Sequence, residues 1–410
     1  MSVTTEAPVT QGPSLKAAFS DYVSRVKAGD IGALPAVLGL VALCAIFAGI
    51  SEFFFTSRNF ANLLTQAAPV IVIAMGLVFV LLLGEIDLSA GYAAGVTGAV
   101  LVLLISNHNV PWYLAILAAL IVGMLFGLIL GTLVARLGIP SFVVTLAAFL
   151  AFQGILLLLA GEGGTISISN KYILAVENNN LSVSQSWIFY IGAMGLYVLS
   201  GLNRINTRRK AGLKTELIKL WAIKTVGLIV ITFVGQLALV AERGEPPRIS
   251  TKGIPLIVPV ILLMLVIGSF VLNRTAFGRH IYAVGGNAEA ARRAGINVKK
   301  VRTAAFVICS GIASIAGLLF ASRANSISPT TGGSSTLLYA VGAAVIGGTS
   351  LFGGKGKMRD AILGGLVVAV IDNGMGLLGY GAGIQYLVTG GVLLVSAGVD
   401  AFSRKGANAS

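Results

Sequence analysis

Side chains able to do chemistry are few in this chain, and their spacing argues against the common catalytic and metal-binding sites. The two histidines, His108 and His280, are far apart, and the two cysteines, Cys44 and Cys309, lie inside separate apolar runs. No His-x-x-His, HExxH or Cys-x-x-Cys spacing occurs, so we expect no bound metal. No G-x-S-x-G sequence of a hydrolase occurs either. We therefore expect neither catalytic residues nor a cofactor.

A glycine-rich stretch, GGTSLFGGKG at residues 347–356, comes nearest to a nucleotide-binding sequence. Thr349 stands where a P-loop requires its first glycine, and Gly356 follows Lys355 where Ser or Thr is required. The chain is not expected to bind ATP in that way. Any energy from ATP would have to come through a partner protein.

Two groups of polar residues interrupt the apolar runs and are candidates for a substrate pathway. The first, Glu85, Asp87 and Ser89, lies in GEIDLSAG (84–91), between two runs that leave no room for an ordinary loop. Ionisable residues at membrane depth are costly and usually face a cavity or a partner. The flanking glycines favour a broken helix, with Asp87 or Ser89 capping the next helix. A tight turn with Asp87 as a plain N-cap is an equally good interpretation.

The second group is Asp372 and Asn373, near the middle of the eleventh apolar run. This pair is expected to face the bundle interior, and a functional role is favoured over a hydrogen bond that only packs two helices. For Gln66, Gln153 and Gln385, packing between helices is the better interpretation.

A basic loop at residues 274–302 contains the pattern of a short capped helix. Asn287 can serve as the N-cap, Glu289 lies in the first turn, and Arg292 and Arg293 lie in the last turn. Glycines flank the helix on both sides, at Gly285, Gly286 and Gly295. A helix of about two turns is marginal alone in water, so we interpret it as a rigid surface offered to another protein. Anchoring at anionic lipid is the alternative, but it explains only the basic residues.

The helices that position these residues can be predicted from the composition of the chain and from its apolar runs. The chain has 410 residues, of which 56% are hydrophobic and 11% charged, and its mean hydropathy is +0.92. A soluble domain carries about 25% charged residues, so we predict an integral membrane protein with an all-α, polytopic fold. A helix needs about 20 apolar residues to cross a bilayer, and about twelve runs come close to this length. They are Leu34–Phe55, Gln66–Leu83, Leu88–Ile105, Trp112–Ala135, Ser141–Ala160, Trp187–Leu202, Leu220–Ala241, Ile254–Leu272, Thr303–Ser322, Thr336–Phe352, Ala361–Leu378 and Ile384–Phe402.

The positive charge predicts the orientation of these runs. With both termini in the cytoplasm, 23 of the 29 Lys and Arg fall on the inner side, as the positive-inside rule requires. Omitting the sixth and seventh runs together keeps this orientation, so ten spans remain possible. The net charge of +14 therefore needs no nucleic acid to explain it. In the tail at 1–33, Ser14–Ala28 matches either an amphipathic helix on the inner leaflet or a solvated segment, and 403–410 forms a second cytoplasmic tail.

Three blocks of sequence resemble the ribose/xylose-type monosaccharide permease family of bacterial ABC importers, and the xylose-type branch most closely. The blocks are Met75–Gly91, Thr275–Val298, and Tyr339–Gly356 followed by Ile371–Gly379. The resemblance covers roughly 34–175 and 254–402. It implies a subunit of the bacterial inner membrane that dimerises, binds two cytoplasmic ATPase domains and accepts sugar from an extracytoplasmic binding protein.

The same resemblance implies roles for the polar groups. Gly285–Gly295 would be the coupling helix that docks into the ATPase, and Gly84–Gly91 and Ile371–Gly374 would border the translocation path. Residues 178–253 depart from the shorter members of the family by inserting two hydrophobic runs, and a peripheral, lipid-facing position is one interpretation of them.

We therefore expect a permease subunit that moves a monosaccharide, with D-xylose as the best candidate. The alternative is a stand-alone secondary transporter driven by an ion gradient, with Asp87 or Asp372 as the coupling acid. A channel is disfavoured because no segment resembling a selectivity filter and no ring of charge occurs.

Overall fold

The structure, a computed structural model, describes residues 34–161, 164–212, 218–244 and 250–408. The amphipathic helix expected over Ser14–Ala28 lies outside the described residues. Within the described ranges the chain forms fifteen helices and one two-stranded ribbon. The helices are α1 Leu34–Ile50, α2 Ser57–Leu81, α3 Ala90–Ser106, α4 Trp112–Ala135, α5 Ser141–Ala160, α6 Lys171–Asn178, α7 Val183–Lys210, α8 Ile218–Val240, α9 Ile257–Arg274, α10 Ala276–Gly286, α11 Ala288–Arg293, α12 Val298–Ala324, α13 Ser334–Ile346, α14 Met358–Leu377 and α15 Ala382–Asn408.

Each of the twelve apolar runs forms a helix, although the bounds differ from those read off hydropathy. The second run begins at Gln66, but α2 begins at Ser57 because the hydroxyl of Thr56 accepts a hydrogen bond from the N–H of Asn59 at 3.2 Å. Such an N-cap can start a helix among polar residues that a hydropathy count leaves out. Among the described residues, eight helices are long and apolar enough to cross a membrane, and α1, α3, α13 and α15 supply shorter apolar stretches. The molecule is thus a mostly helical membrane protein.

The core is built around α2 and α12. In the most apolar stretch of α2, 78% of the residues are buried, whereas only 6% are buried in the corresponding stretch of α7. α12 packs closely on α4 because Gly123, Gly127 and Gly131 form one small-residue face. Added side chains at these glycines would meet backbone atoms of α12, such as the carbonyl oxygen of Phe306. Small residues of this kind let two helices approach closely in lipid.

The bundle has two distinct ends. One end, which we call the junction end, carries α10, α11 and the turn at 347–357. The opposite end, which we call the ribbon end, carries α6 and an antiparallel ribbon in which β1, Ile166–Ser167, pairs with β2, Ser326–Ile327. α2 runs between them, starting at the ribbon end and finishing at the junction end.

The segment 178–253 forms the long helices α7 and α8, which lie at the edge of the described bundle. Most of their apolar side chains are exposed, as at Ile188, Leu196 and Ile231. Exposed faces of this composition suit contact with lipid or with another membrane helix.

Candidate functional site

A buried polar network joins α2 to α14 near the ribbon end. The amides of Asn59 and Asn373 exchange two hydrogen bonds, from Nδ2 to Oδ1, at 2.8 and 2.9 Å. Nδ2 of Asn373 also donates to Oε1 of Gln66 at 3.3 Å. Nε2 of Gln66 donates in turn to Oδ2 of Asp372 at 2.6 Å. Four polar side chains thus form one continuous set of hydrogen bonds between two helices.

The predicted pair Asp372 and Asn373 does face the interior, but the structure shifts its depth and supplies its partners. The two residues lie in the last two turns of α14, which ends at Leu377, and therefore not at the middle of the helix. Gln66, expected to serve packing alone, contacts both members of the pair. Asn59 was missed because the apolar run begins seven residues after it, although its place in the first turn of a capped helix was a usable signal.

The turn at 84–91 is stabilised by its own acidic residue. Asp87 is fully buried, and its Oδ1 accepts hydrogen bonds from the backbone N–H and the hydroxyl of Ser89 at 2.9 and 2.6 Å. Its Oδ2 has no hydrogen-bond partner among the described residues, and the thiol of Cys309 lies near the carboxyl group. The bonds to Ser89 stabilise a tight turn that leads into α3, but Ser89 and not Asp87 stands at the N-cap position, and the Ser89 side chain makes no cap hydrogen bond. A further role of Asp87 and Ser89 in a substrate pathway stays a prediction.

Glu85, in the same turn, forms an ion pair across the junction end. Its Oε1 lies 3.1 Å from Nε of Arg302 near the start of α12, and the two side chains are 12% and 31% exposed. Removing one member of a shielded pair leaves the other charge uncompensated, which costs more than the pair itself contributes. The pair therefore fixes the turn at 84–91 against the segment that follows α11.

The short helix predicted in the basic loop is confirmed as α11. Oδ1 of Asn287 accepts a hydrogen bond from the N–H of Ala290 at 2.9 Å, and Gly295 ends the helix with a left-handed φ of +84°. Glu289 pairs with Arg292 at 2.6 Å and with Arg293 at 3.3 Å. The hydrogen bond from Arg292 is the main cause of the lowered pKa of Glu289. All three charged side chains are more than half exposed and are available to a partner.

Behind α11, backbone atoms of three segments meet at close range, and we call this contact the junction. Gly285 of α10 packs directly on the carbonyl oxygen of Leu82, which also accepts a hydrogen bond from the N–H of Gly354 at 2.9 Å. The hydroxyl of Tyr282 donates to the carbonyl oxygen of Gly356 at 2.8 Å. A side chain at Gly285 would collide with the Leu82 carbonyl, whereas the neighbouring Gly286 has open space around it.

The polar network, the turn at 84–91 and α11 can form hydrogen bonds and ion pairs, but none of these described segments forms a metal site. Among the residues that the structure describes, no three His, Cys, Asp or Glu side chains lie close enough to share a metal ion. The amides of the network both donate and accept. Weak, reversible hydrogen bonding is what a passage for an uncharged polar solute requires.

Comparison with known proteins identifies a family. The family described as "Branched-chain amino acid transport system / permease component" matches residues 59–397. The chain is 35% identical over 385 residues to the xylose transport system permease protein XylH of Escherichia coli, covering 93% of this chain and 95% of that protein. It is 34% identical over 370 residues to the corresponding protein of Haemophilus influenzae, with 89% and 96% covered. To the ribose import permease protein RbsC of Escherichia coli it is 29% identical over 364 residues, with 89% and 92% covered. No solved structure matches the chain significantly.

Proposed function

The chain belongs to the family of permease components of branched-chain amino acid transport systems, and from this premise we propose that it is the membrane subunit of an ATP-driven monosaccharide importer. As a permease of a bacterial importer it is a protein of the cytoplasmic membrane and not an enzyme. Relatives named for xylose and ribose support a sugar as the solute, with D-xylose as the best candidate.

The observation that carries this proposal is the connection between α11 and the two helices of the polar network. α11 is exposed, and α10 before it is held at the junction against the end of α2 and against the turn that leads into α14. The opposite ends of α2 and α14 hold Asn59 and Asn373. A partner that moves α11 can therefore bias the arrangement of both helices at the network, which is a shift between two conformations driven by differential contacts.

The proposal includes a topology and a set of partners. All twelve apolar helices cross the membrane, both termini and the junction end face the cytoplasm, and an ATPase subunit binds α11. An extracytoplasmic sugar-binding protein meets the ribbon end, and a second copy of the chain completes the passage. The basic residues at the junction end lie near anionic lipid, and nucleic acid plays no part.

Reconstitution tests the energy source. Liposomes that hold this chain with its ATPase and binding protein are expected to accumulate D-xylose when ATP is supplied, and D-ribose more slowly, but not leucine. Liposomes with the chain alone are expected to accumulate none of them under a proton or sodium gradient. Uphill uptake by the chain alone would establish the ion-coupled alternative and overturn the proposal.

A charge exchange in α11 tests the ATPase contact. The double variant Glu289→Arg with Arg292→Glu keeps opposite charges at the paired positions but reverses the charge that each presents to a partner. We expect ATP hydrolysis to lose its stimulation by substrate and uptake to fall about tenfold or more, because rim charges set the register of an interface. Arg209→Gln, which removes an exposed cation at the end of α7, is the matched control and should leave both rates unchanged.

A further inference from the structure

A polar cavity of about 380 Å³ opens at the ribbon end, between α2 and the segment 178–253. One wall is a stripe of α2 at helical spacing, with Arg58, Asn62 and Thr65. The facing wall belongs to the segment for which the sequence predicts no role, and it includes Asn180 and Arg243. The cavity is therefore shared by α2, the end of α6 and the loops that precede α7 and follow α8.

The unusual group in this cavity is Glu177, at the end of α6. Its side chain is 5% exposed and lines the cavity, and neither carboxylate oxygen has a hydrogen-bond partner among the described residues. The backbone N–H of Glu177 donates to Oγ of Ser322 at 3.0 Å, which fixes α6 on the end of α12. Burial raises the pKa of Glu177 to about 8, and the charge of Arg323 opposes that rise. Two unsatisfied acceptors in a buried position are costly and require an explanation.

The charges around Glu177 select the class of ligand. Arg58 and Arg243 line the same cavity, so a cationic ligand would meet like charge. The guanidinium of Arg243 is already bound by the carbonyl oxygens of Leu239 and Gly253, so it is not a free site for an anion. With its pKa at about 8, Glu177 is mostly the neutral acid at neutral pH, so its carboxyl group offers one donor and one acceptor. An uncharged solute with several hydroxyl groups supplies donors for Glu177 and exchanges hydrogen bonds with the neighbouring amides.

We propose that this cavity is the entry subsite for a monosaccharide, in which Glu177 exchanges hydrogen bonds with sugar hydroxyls and the loops on either side of α7 and α8 supply one wall. This inference rests on the proposed function and gives the inserted segment a role in solute selection. The subsite and the polar network share α2, on which Thr65 of the cavity wall is followed by Gln66 of the network. Oγ1 of Thr65 also accepts a hydrogen bond from Arg323 at 3.2 Å.

Protection of a single cysteine by sugar tests the subsite directly. Asn62→Cys places a thiol in the cavity wall, on a background with Cys44→Ala; the native Cys309 is 1% exposed and out of reach of reagent. Intact cells that express the full transporter are treated with a membrane-impermeant maleimide, with and without D-xylose. Glu52→Cys, exposed at the same end but outside the cavity lining, is the matched control.

We expect D-xylose to slow labelling at position 62 about fivefold or more and to leave labelling at position 52 unchanged. Adding Glu177→Leu is expected to weaken this protection about tenfold, because the hydrogen bonds of a buried polar group to the sugar are lost. Glu177→Gln, which keeps the hydrogen-bonding capacity, should retain most of it. Direct binding of labelled D-xylose to the purified wild-type and Glu177→Leu proteins checks the result without an introduced cysteine.

The outcomes separate the subsite from the transporter. If ATP-driven uptake by the wild-type complex persists while neither D-xylose nor D-ribose protects position 62, the subsite is wrong and the proposed function stands. Protection by the anion D-xylonate in place of D-xylose, or equal protection in Glu177→Leu, also overturns the subsite. If the wild-type complex shows no ATP-driven sugar uptake at all, the proposed function fails and the subsite fails with it.

Discussion

The two ends of α2 make their contacts in different ways. At the junction end the contacts are between backbone atoms, because the carbonyl oxygen of Leu82 meets Gly285 and the N–H of Gly354. At the ribbon end the contacts are between polar side chains, through Asn59 and Gln66. One helix therefore has a stiff contact at one end and an exchangeable set of hydrogen bonds at the other.

This difference fits two separate tasks on one helix. Close-packed backbone contacts have no room for alternative arrangements, so they pass on a displacement without absorbing it. Amide side chains can release one hydrogen-bond partner and bind another at low net cost, since each such bond within a membrane protein contributes only about 0.6 kcal/mol on average. In the proposed function, the junction would transmit force and the ribbon end would pass the solute.

The largest effect is expected at the junction. Gly285→Ala should lower ATP-dependent uptake at least tenfold, because the added methyl group overlaps the Leu82 carbonyl and overpacking costs about 1–3 kcal/mol. Uptake and ATP hydrolysis are measured on the same proteoliposomes. Gly286→Ala, one residue away in open space, should stay within about twofold of wild type. Equal losses in both variants would mean that the junction contact is not the cause.

The ion pair of Glu85 with Arg302 is expected to give the next largest effect. Glu85→Gln leaves a half-buried arginine without its partner, so the melting temperature and uptake should both fall, uptake by about tenfold. The exchanged variant Glu85→Arg with Arg302→Glu should recover part of the loss. If the exchange recovers nothing, the residues act separately and not as a pair.

A third test separates transport from packing at the network. Asn373→Leu should lower uptake severalfold without loss of expression, because Asn59 and Gln66 lose a shared partner. The double variant Asn59→Leu with Asn373→Leu removes both members of the exchanged pair, so its melting temperature should recover while uptake stays low. Normal uptake in Asn373→Leu would show that the network only packs two helices.

The smallest expected effect is on the pH dependence of stability, and it arises from Glu177. Its pKa is raised from 4.5 to about 8 in the folded protein, so between these values the folded state binds more protons than the unfolded state. The contribution of Glu177 to stability should therefore be fully present below about pH 4.5 and be lost as the pH rises through about 8, which corresponds to a few degrees in melting temperature. The charged groups around Glu177 are Arg58, Arg243 and Arg323.

Thermal unfolding of the purified protein from pH 5 to 9 measures this slope. Glu177→Gln should flatten it, and Glu52→Gln, at the exposed turn before α2, should leave it unchanged. A slope that survives in Glu177→Gln must arise from another titrating group.

Local features were readable from the sequence because their causes lie within a few residues. The cap and charges of α11 all involve partners three or four positions apart, and the structure confirms them. The apolar runs predicted twelve helices because a long apolar segment in lipid must satisfy its backbone hydrogen bonds internally. The predicted start at Gln66 was wrong, because hydropathy does not register the N-cap at Thr56 that starts α2 at Ser57.

Contacts between residues on different helices could not be predicted from the sequence in this way. Glu85 was predicted only as a pathway residue, and nothing in its neighbourhood indicated Arg302, more than 200 positions away. The same holds for Gln66 with Asp372 and for the cavity around Glu177. Helices that are apolar on every side carry little information about which face meets which neighbour.

Membrane location, helical composition and the short exposed helix α11 thus follow from the order of residues alone, since each depends on hydrophobicity or on hydrogen bonds within one turn. The depth of Asp372, the ion pair of Glu85 and the cavity shared with the segment 178–253 were decided only when the helices packed. Packing sets the rotation and depth of each helix through the contacts of all its neighbours at once, and those contacts join residues that are remote in sequence.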